Sequence, residues 1–386
     1  MKIQFAIIIL VCAAHLVQAQ TKANNSFKPG ELWLDTDGQH INAHGGGILY
    51  HDGTYYWLGE HKVAGPKGNS AMVGVSCYSS DDLYNWKNEG IALKVSEDST
   101  SEIAKGSVIE RPKVIYNKKT GKFVMWFHLE LKGQGYSAAR TAVAVADKVT
   151  GPYTYLKSLR PHAGIWPENA TAAHKTKIIT VAEKDPEWEQ KVADGAFLQR
   201  DFEGGQMSRD MTLFVDDDGT AFHIAASEEN RTLQISKLTD DYLGFTDAYV
   251  RVFPGGKNEA PAVFKKDGKY YMITSGLTGW EPNAARSAVS NHMMEGWKEL
   301  GNPVRGTEEE MKTTFGAQST FVLPVQGKKN AFIFMADQWR PNNPIDGRYV
   351  WLPLSFEDGK PVLQWQDEWK LNAFDKQNAA DKAGRK

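Results

Sequence analysis

Residues 47–60 read GILYHDGTYYWLGE: an apolar strand, a short polar turn ending in glycine, and a second strand rich in aromatics. Glycine supplies the positive φ of a tight turn, and β-branched and aromatic flanks suit paired strands, so the stretch reads as a β-hairpin. The phrase recurs as KVIYNKKTGKFVMWFHLE (113–130), TLFVDDDGTAFHIAASEE (212–229), AVFKKDGKYYMITSG (262–276) and TFVLPVQGKKNAFIFMADQW (320–339). After each hairpin comes a further strand, at 73–86, 141–155, 232–245, 285–297 and 348–365, several running into a polar turn and another aromatic. A hairpin plus one or two strands is the size of a propeller blade, and five copies predict an all-β, five-bladed β-propeller. A two-sheet sandwich shares the short strands and turns and is the competing architecture.

The turn glycines Gly53, Gly121, Gly219, Gly268 and Gly327 are spaced by 68, 98, 49 and 59 residues, so the long gaps hold insertions. The largest, about 157–207, is rich in Gly, Pro and charge and is expected to be loop on one face. The chain begins MKIQFAIIILVCAAHLVQA, a basic residue, an apolar run and a small-residue end, which predicts a secretory leader over residues 1–19. The propeller is expected over 20–369, followed by a polar tail, 370–386, expected to be disordered. Export to the periplasm or the extracellular space follows. The apolar run is short for a membrane span, and losing the leader removes Cys12 and leaves Cys77 as the single thiol, which excludes an internal disulfide framework.

A formal net charge of −2 gives no reason to expect nucleic acid or an anionic membrane as partner. The bias is aromatic, with 12 Trp, 14 Tyr and 17 Phe beside 35 Gly, and aromatic faces suit neutral sugars. Trp57, Trp126, Trp280 and Trp339 lie in or just after second hairpin strands, where an indole can stack on a pyranose or pack between blades. His61, His128 and His223 fall nearby and read as structural. DDDG at 216–219 lacks a later acidic ligand, so no metal is expected there.

In a propeller the first strand of each blade lines the central channel, and equivalent positions converge on one mouth. Nine residues before Gly53, Gly219, Gly268 and Gly327 stand His44, Asp210, Glu259 and Gln318; eleven before Gly121, whose turn is longer, stands Glu110. Carboxylates gathered near one pocket perturb one another's protonation and can serve as acid and base.

The phrases INAHGGGILYHDGTYYWLGEHK (41–62), ERPKVIYN (110–117), SRDMTLFVDDDGTA (208–221), EAPAVFK (259–265), TSGLTGW (274–280) and FGAQSTFV (315–322) together resemble glycoside hydrolase family 43, exo-β-1,3-galactanase branch (subfamily 24), over about residues 32–351. The resemblance implies an inverting, exo-acting hydrolase that releases galactose from the β-1,3-galactan backbone of type II arabinogalactan, without a cofactor and, we expect, as a monomer. It assigns the general acid to Glu259, its orienting carboxylate to Asp210, and the nucleophilic water to Gln318. Glu110 matches a substrate-binding acid, Glu60, Tyr136 and Thr278 fall near sugar-contacting positions, and His44 and Trp280 are expected at the same site. The departure is in the first blade: AHGGG stands where most of the wider family has an aspartate base. Two rivals stand: the wider family's α-L-arabinofuranosidase or β-xylosidase activities, which the missing aspartate disfavours, and a glycan-binding propeller without catalysis, which it motivates. A neutral amide accepts a proton poorly, so either an imidic tautomer of Gln318 or another carboxylate, such as Glu110, would have to take it.

Overall fold

A computed structural model of the protein describes residues 23–182 and 185–375. Five sheets follow one another as the repeats predict, antiparallel but for one parallel edge pair in the last, which excludes the sandwich. Blade I comprises β1 (His44–His51), β2 (Thr54–His61), β3 (Gly74–Ser80) and β4 (Lys87–Lys94), paired in that order; blade II comprises β5 (Val108–Asn117), β6 (Lys122–Glu130), β7 (Arg140–Ala146) and β8 (Thr154–Leu159). Blade III is β9 (Met211–Val215), β10 (Ala221–Ser227), β11 (Thr232–Leu238) and β12 (Phe245–Val252), and blade IV is β13 (Glu259–Lys266), β14 (Lys269–Ser275), β15 (Arg286–Ser290) and β16 (Lys298–Gly301). Blade V adds a short edge strand, β17 (Val304–Arg305), outside β18 (Gln318–Pro324), β19 (Phe332–Gln338), β20 (Arg348–Glu357) and β21 (Lys360–Gln364).

Local chemistry accounts for the hairpins. All five turn glycines have φ between 70° and 91°, and in blades I and IV the preceding Asp52 and Asp267 are left-handed too, at 47° and 50°, the mirror-image turn that matches strand twist. The inner strands β1, β5, β9, β13 and β18 pack side by side around the channel and close on themselves. Closure is reinforced by a two-way backbone bridge between Phe27 and Trp369. It also rests on a buried cluster in which Trp57, Trp86 and Trp351 meet at 4.8–6.0 Å; aromatic pairs of this kind add about 0.5–1.5 kcal/mol each beyond area burial.

Two expectations change. The leader at 1–19 lies outside the described residues. The insertion carries three short helices, α1 (Ala172–Thr176), α2 (Trp188–Ala193) and α3 (Ala196–Arg200), rather than loop alone; a fourth, α4 (Glu308–Thr313), precedes β18. The tail is ordered at its start, because Phe374 is buried against Trp369 and Lys328 pairs with Asp375; residues 376–386 lie outside the described residues. Among the described residues no helix is long and apolar enough to cross a membrane.

Candidate active site

The first strands of blades I, II and IV enter the channel by one backbone device. After His44, Glu110 and Glu259 the register slips by one residue, and the next residue, Gly45, Arg111 or Ala260, is left-handed at 58°, 55° and 49°. Such bulges re-aim side chains beside functional sites. Pro112 and Pro261 follow the left-handed residue in blades II and IV, where the interrupted ladder does without an N–H. At this mouth lies a pocket lined by Glu60, Glu110, Arg111, His128, Tyr136, Arg209, Asp210, Asn230, Glu259, Leu277, Gly279, Trp280, Gln318 and Trp339.

Glu259, Asp210, Gln318, Glu110, Glu60, Tyr136 and Trp280 therefore meet in one pocket. His44 and Thr278 do not. The His44 ring is fully buried behind the pocket, stacked on Tyr349 at 5.3 Å with both nitrogens unpartnered, in space left by Gly347. The room on the pocket side of blade I is taken by Glu60, the cross-strand neighbour of His44. Thr278 turns its hydroxyl into its own loop, donating to Glu281 O at 2.6 Å and accepting from Asn283, so that loop offers Leu277, Gly279 and Trp280 instead. Of the four candidate tryptophans, Trp57 and Trp126 are core, whereas Trp280 and Trp339 meet edge to face at 5.7 Å on the pocket wall. His223 is buried between blades and His61 bonds Ser76, but His128 reaches the pocket.

Arg111 organises the floor. Its Nη2 donates to Asp210 Oδ2 at 2.9 Å and Gln318 Oε1 at 2.5 Å, Nη1 donates to Ser319 O, and its backbone N–H donates to Glu60 Oε1 at 2.8 Å. Glu60 pairs with Lys62, which also bonds Asn69. Gln318 Oε1 receives a second N–H from Trp339 at 2.8 Å, while Nε2 donates to Ser275 Oγ at 2.9 Å. Guanidinium and indole N–H groups only donate, so the oxygen of Gln318 is fixed as a carbonyl and has no acceptor for the O–H of an imidic tautomer. Beneath it, the buried Asp337 accepts from Gly45 N at 2.5 Å, and burial raises its carboxyl to about 7.

Glu259 and Glu110 are driven apart. Burial, then the charge of Asp210, pushes Glu259 up to about 8 against the opposing Arg111, Arg209 and Asn230, so it is protonated at neutral pH. Burial would raise Glu110 as well, but hydrogen bonding and charge from His128, with Lys62 and Tyr136, outweigh it and hold Glu110 ionised. His128 bridges Glu110 and Glu130 at 3.0 and 2.9 Å, and these bonds overcome burial and lift the imidazole to about 9. Donor atoms of Glu110, His128 and Asp210 lie within 4.8 Å of one another, the residue types of a cation site. Both ring nitrogens of His128 are committed to carboxylates, however, and Asp210 is already paired with Arg111, so the trio works as an ion-pair network.

Arg111, Arg209 and Asn230 escaped the sequence reading. Arg111 and Arg209 adjoin ring residues in ERP and SRD, where a second charge beside each ring carboxylate is the available signal; Asn230 sits in a turn whose importance is purely spatial.

A protonated carboxylic acid facing a pocket of carboxylates and indoles on a five-bladed propeller is the equipment of an enzyme that cleaves glycosidic bonds. The comparisons agree. The family description "Glycosyl hydrolases family 43" matches residues 165–361. A solved family 43 β-1,3-galactosidase with galactodeoxynojirimycin is 55% identical, with a TM-score of 0.85 over 89% of this chain and 100% of its own. An exo-β-1,3-galactanase from Clostridium thermocellum is 36% identical (TM-score 0.71; 89% and 66% covered), and one from Phanerochaete chrysosporium with β-1,3-galactotriose is 32% identical (TM-score 0.72; 90% and 69% covered). No match is found among curated proteins. The chain belongs to glycosyl hydrolase family 43 and is a glycoside hydrolase.

Proposed function

We propose that this hydrolase removes galactose, exo-fashion and with inversion, from the non-reducing ends of β-1,3-galactan, including the backbone of type II arabinogalactan, after export through its leader. The observation that carries the reading is Glu259: a carboxyl held protonated at neutral pH in the pocket, on a chain resembling β-1,3-galactosidases and exo-β-1,3-galactanases. Glu259 gives its proton to the leaving oxygen. Asp210 supplies the like charge that keeps that proton in place, and Arg111 keeps Asp210 and Gln318 together. Gln318 fixes the attacking water through the N–H not given to Ser275, and a carboxylate takes the water's proton, since the amide oxygen has no room for it. Trp280 and Trp339 form the aromatic wall for the sugar.

Linear β-1,3-galactan incubated with the protein is expected to release free galactose, seen first by proton NMR as the α-anomer. First appearance of the β-anomer overturns inversion. Hydrolysis of aryl arabinofuranosides or xylosides with no attack on galactan overturns the substrate, and binding of galactan without turnover overturns the enzymatic reading of the pocket.

A further inference from the structure

Among the described residues, the one side chain bonded to the Glu259 carboxyl is Asn230, whose Nδ2 donates to Oε1 at 2.6 Å. Asn230 Oδ1 is buried without a partner, so this contact is the single engagement of the amide. The residue belongs to the β10–β11 turn, where Glu228, Glu229 and Asn230 have φ of 52°, 56° and 61°. Three successive non-glycine residues in the left-handed region persist only where their surroundings over-determine them, and such strain gathers at functional sites.

The surroundings do over-determine them. Glu228 is fully buried and receives Arg251 Nε on Oε1 at 2.6 Å and Nη2 on Oε2 at 2.7 Å, with Thr232 Oγ1 also donating to Oε2. Arg251 donates further to Val192 O and Ala193 O at the end of α2, which ties the turn to the insertion. Glu229 is gripped by Arg200 at 3.0 Å and Arg209 at 3.1 Å. A two-sided clamp thus presses the turn toward the pocket.

We propose that this clamped turn is the positioning device of the acid: Asn230 places an N–H on Oε1, making Oε1 the carbonyl oxygen and leaving the proton on Oε2 for the leaving group. Asn230 acts through Glu259 and is a positioning residue. The inference rests on Glu259 being the general acid of the proposed reaction.

The isosteric Asn230→Asp exchange tests it, because it keeps volume and replaces the donor by an acceptor that draws the proton to Oε1. On β-1,3-galactobiose, kcat is expected to fall by about 10²-fold, the lower range for a positioned acid. On 2,4-dinitrophenyl β-galactoside, whose leaving group departs unprotonated, the loss is expected to be at least tenfold smaller, roughly the share of the rate that acid assistance supplies. Equal losses on both substrates, or near wild-type rates on both, overturn the proposal. Should the wild type leave galactobiose untouched, the galactan reading fails by itself. The proton is then located by infrared difference spectra against Glu259→Gln: a shift of the Glu259 carboxylic band in Asn230→Asp supports the proposal, and an unchanged band overturns it.

Discussion

Blades I and IV bring their first strands to the channel with the same backbone, a slipped register after the first residue and a left-handed second residue, yet they deliver opposite results. Blade IV places Glu259 in the pocket, while blade I buries His44 behind it. The difference lies at the second residue. Ala260 carries a Cβ in blade IV; at Gly45 a Cβ would stand 2.2 Å from Glu60 Oε1, so glycine admits a carboxylate from the second strand over the first. Blade I therefore contributes a carboxyl bonded to Lys62 and the Arg111 N–H, whereas blade IV contributes one whose side-chain partner is the neutral Asn230 and which keeps its proton. Equivalent backbone positions fix where a strand enters the channel, and the neighbouring volume decides which side chain fills it.

The largest break in the comparison is Glu259→Gln. Removal of a positioned acid is expected to lower kcat on galactan by ~10²–10⁴-fold with little change in galactose binding, and near wild-type turnover would move the acid elsewhere. In the proposed mechanism the protonated form is the active one, so kcat/KM is expected to hold through neutrality and fall as pH rises through about 8, the value to which burial and Asp210 raise the group. A limb near the ordinary carboxylate range would show that Glu259 is ionised and is not the acid.

Gly45→Ala probes the other arm. The substitution forces a Cβ into the Glu60 carboxylate and an alanine into the left-handed region, about 1–2 kcal/mol of backbone strain. Loss of the charge-assisted bond to Arg111 N adds roughly 1.5–3 kcal/mol. Thermal melts should show the destabilisation and kinetics a rise in KM larger than the fall in kcat. An unchanged KM would mean that Glu60 does not hold sugar.

The hairpins were legible because their signals are local: alternating apolar and polar residues, a turn glycine, aromatic flanks. Counting back from each glycine found four residues of the pocket, Glu110, Asp210, Glu259 and Gln318, since equivalent strands enter one ring. It failed at His44 because a count knows position along a strand and not the volume beside it. Arg111 and Asn230 were missed for a related reason: one reaches the pocket through a bulge and the other through a turn held by Arg251, a residue of a different strand. Thr278 has a hydroxyl suited to sugar, but its loop consumes it.

His44→Phe sharpens the comparison at the smallest scale of activity. The ring has no polar partner, and burial, then the charge of Lys62, holds it neutral far below its ordinary range. Two unpaired buried nitrogens cost about 1–3 kcal/mol each, so an apolar ring of similar shape should raise the melting temperature while kcat/KM stays as it was. The unfolded chain protonates His44 below about 6.5 and the native state does not, so acid favours unfolding of the wild type. The stability gap between variant and wild type should therefore widen as pH falls from 7 to 5, by up to ~1.4 kcal/mol per pH unit. A variant with unchanged stability and impaired kcat/KM would return His44 to the sugar site and make blade I the equal of blade IV.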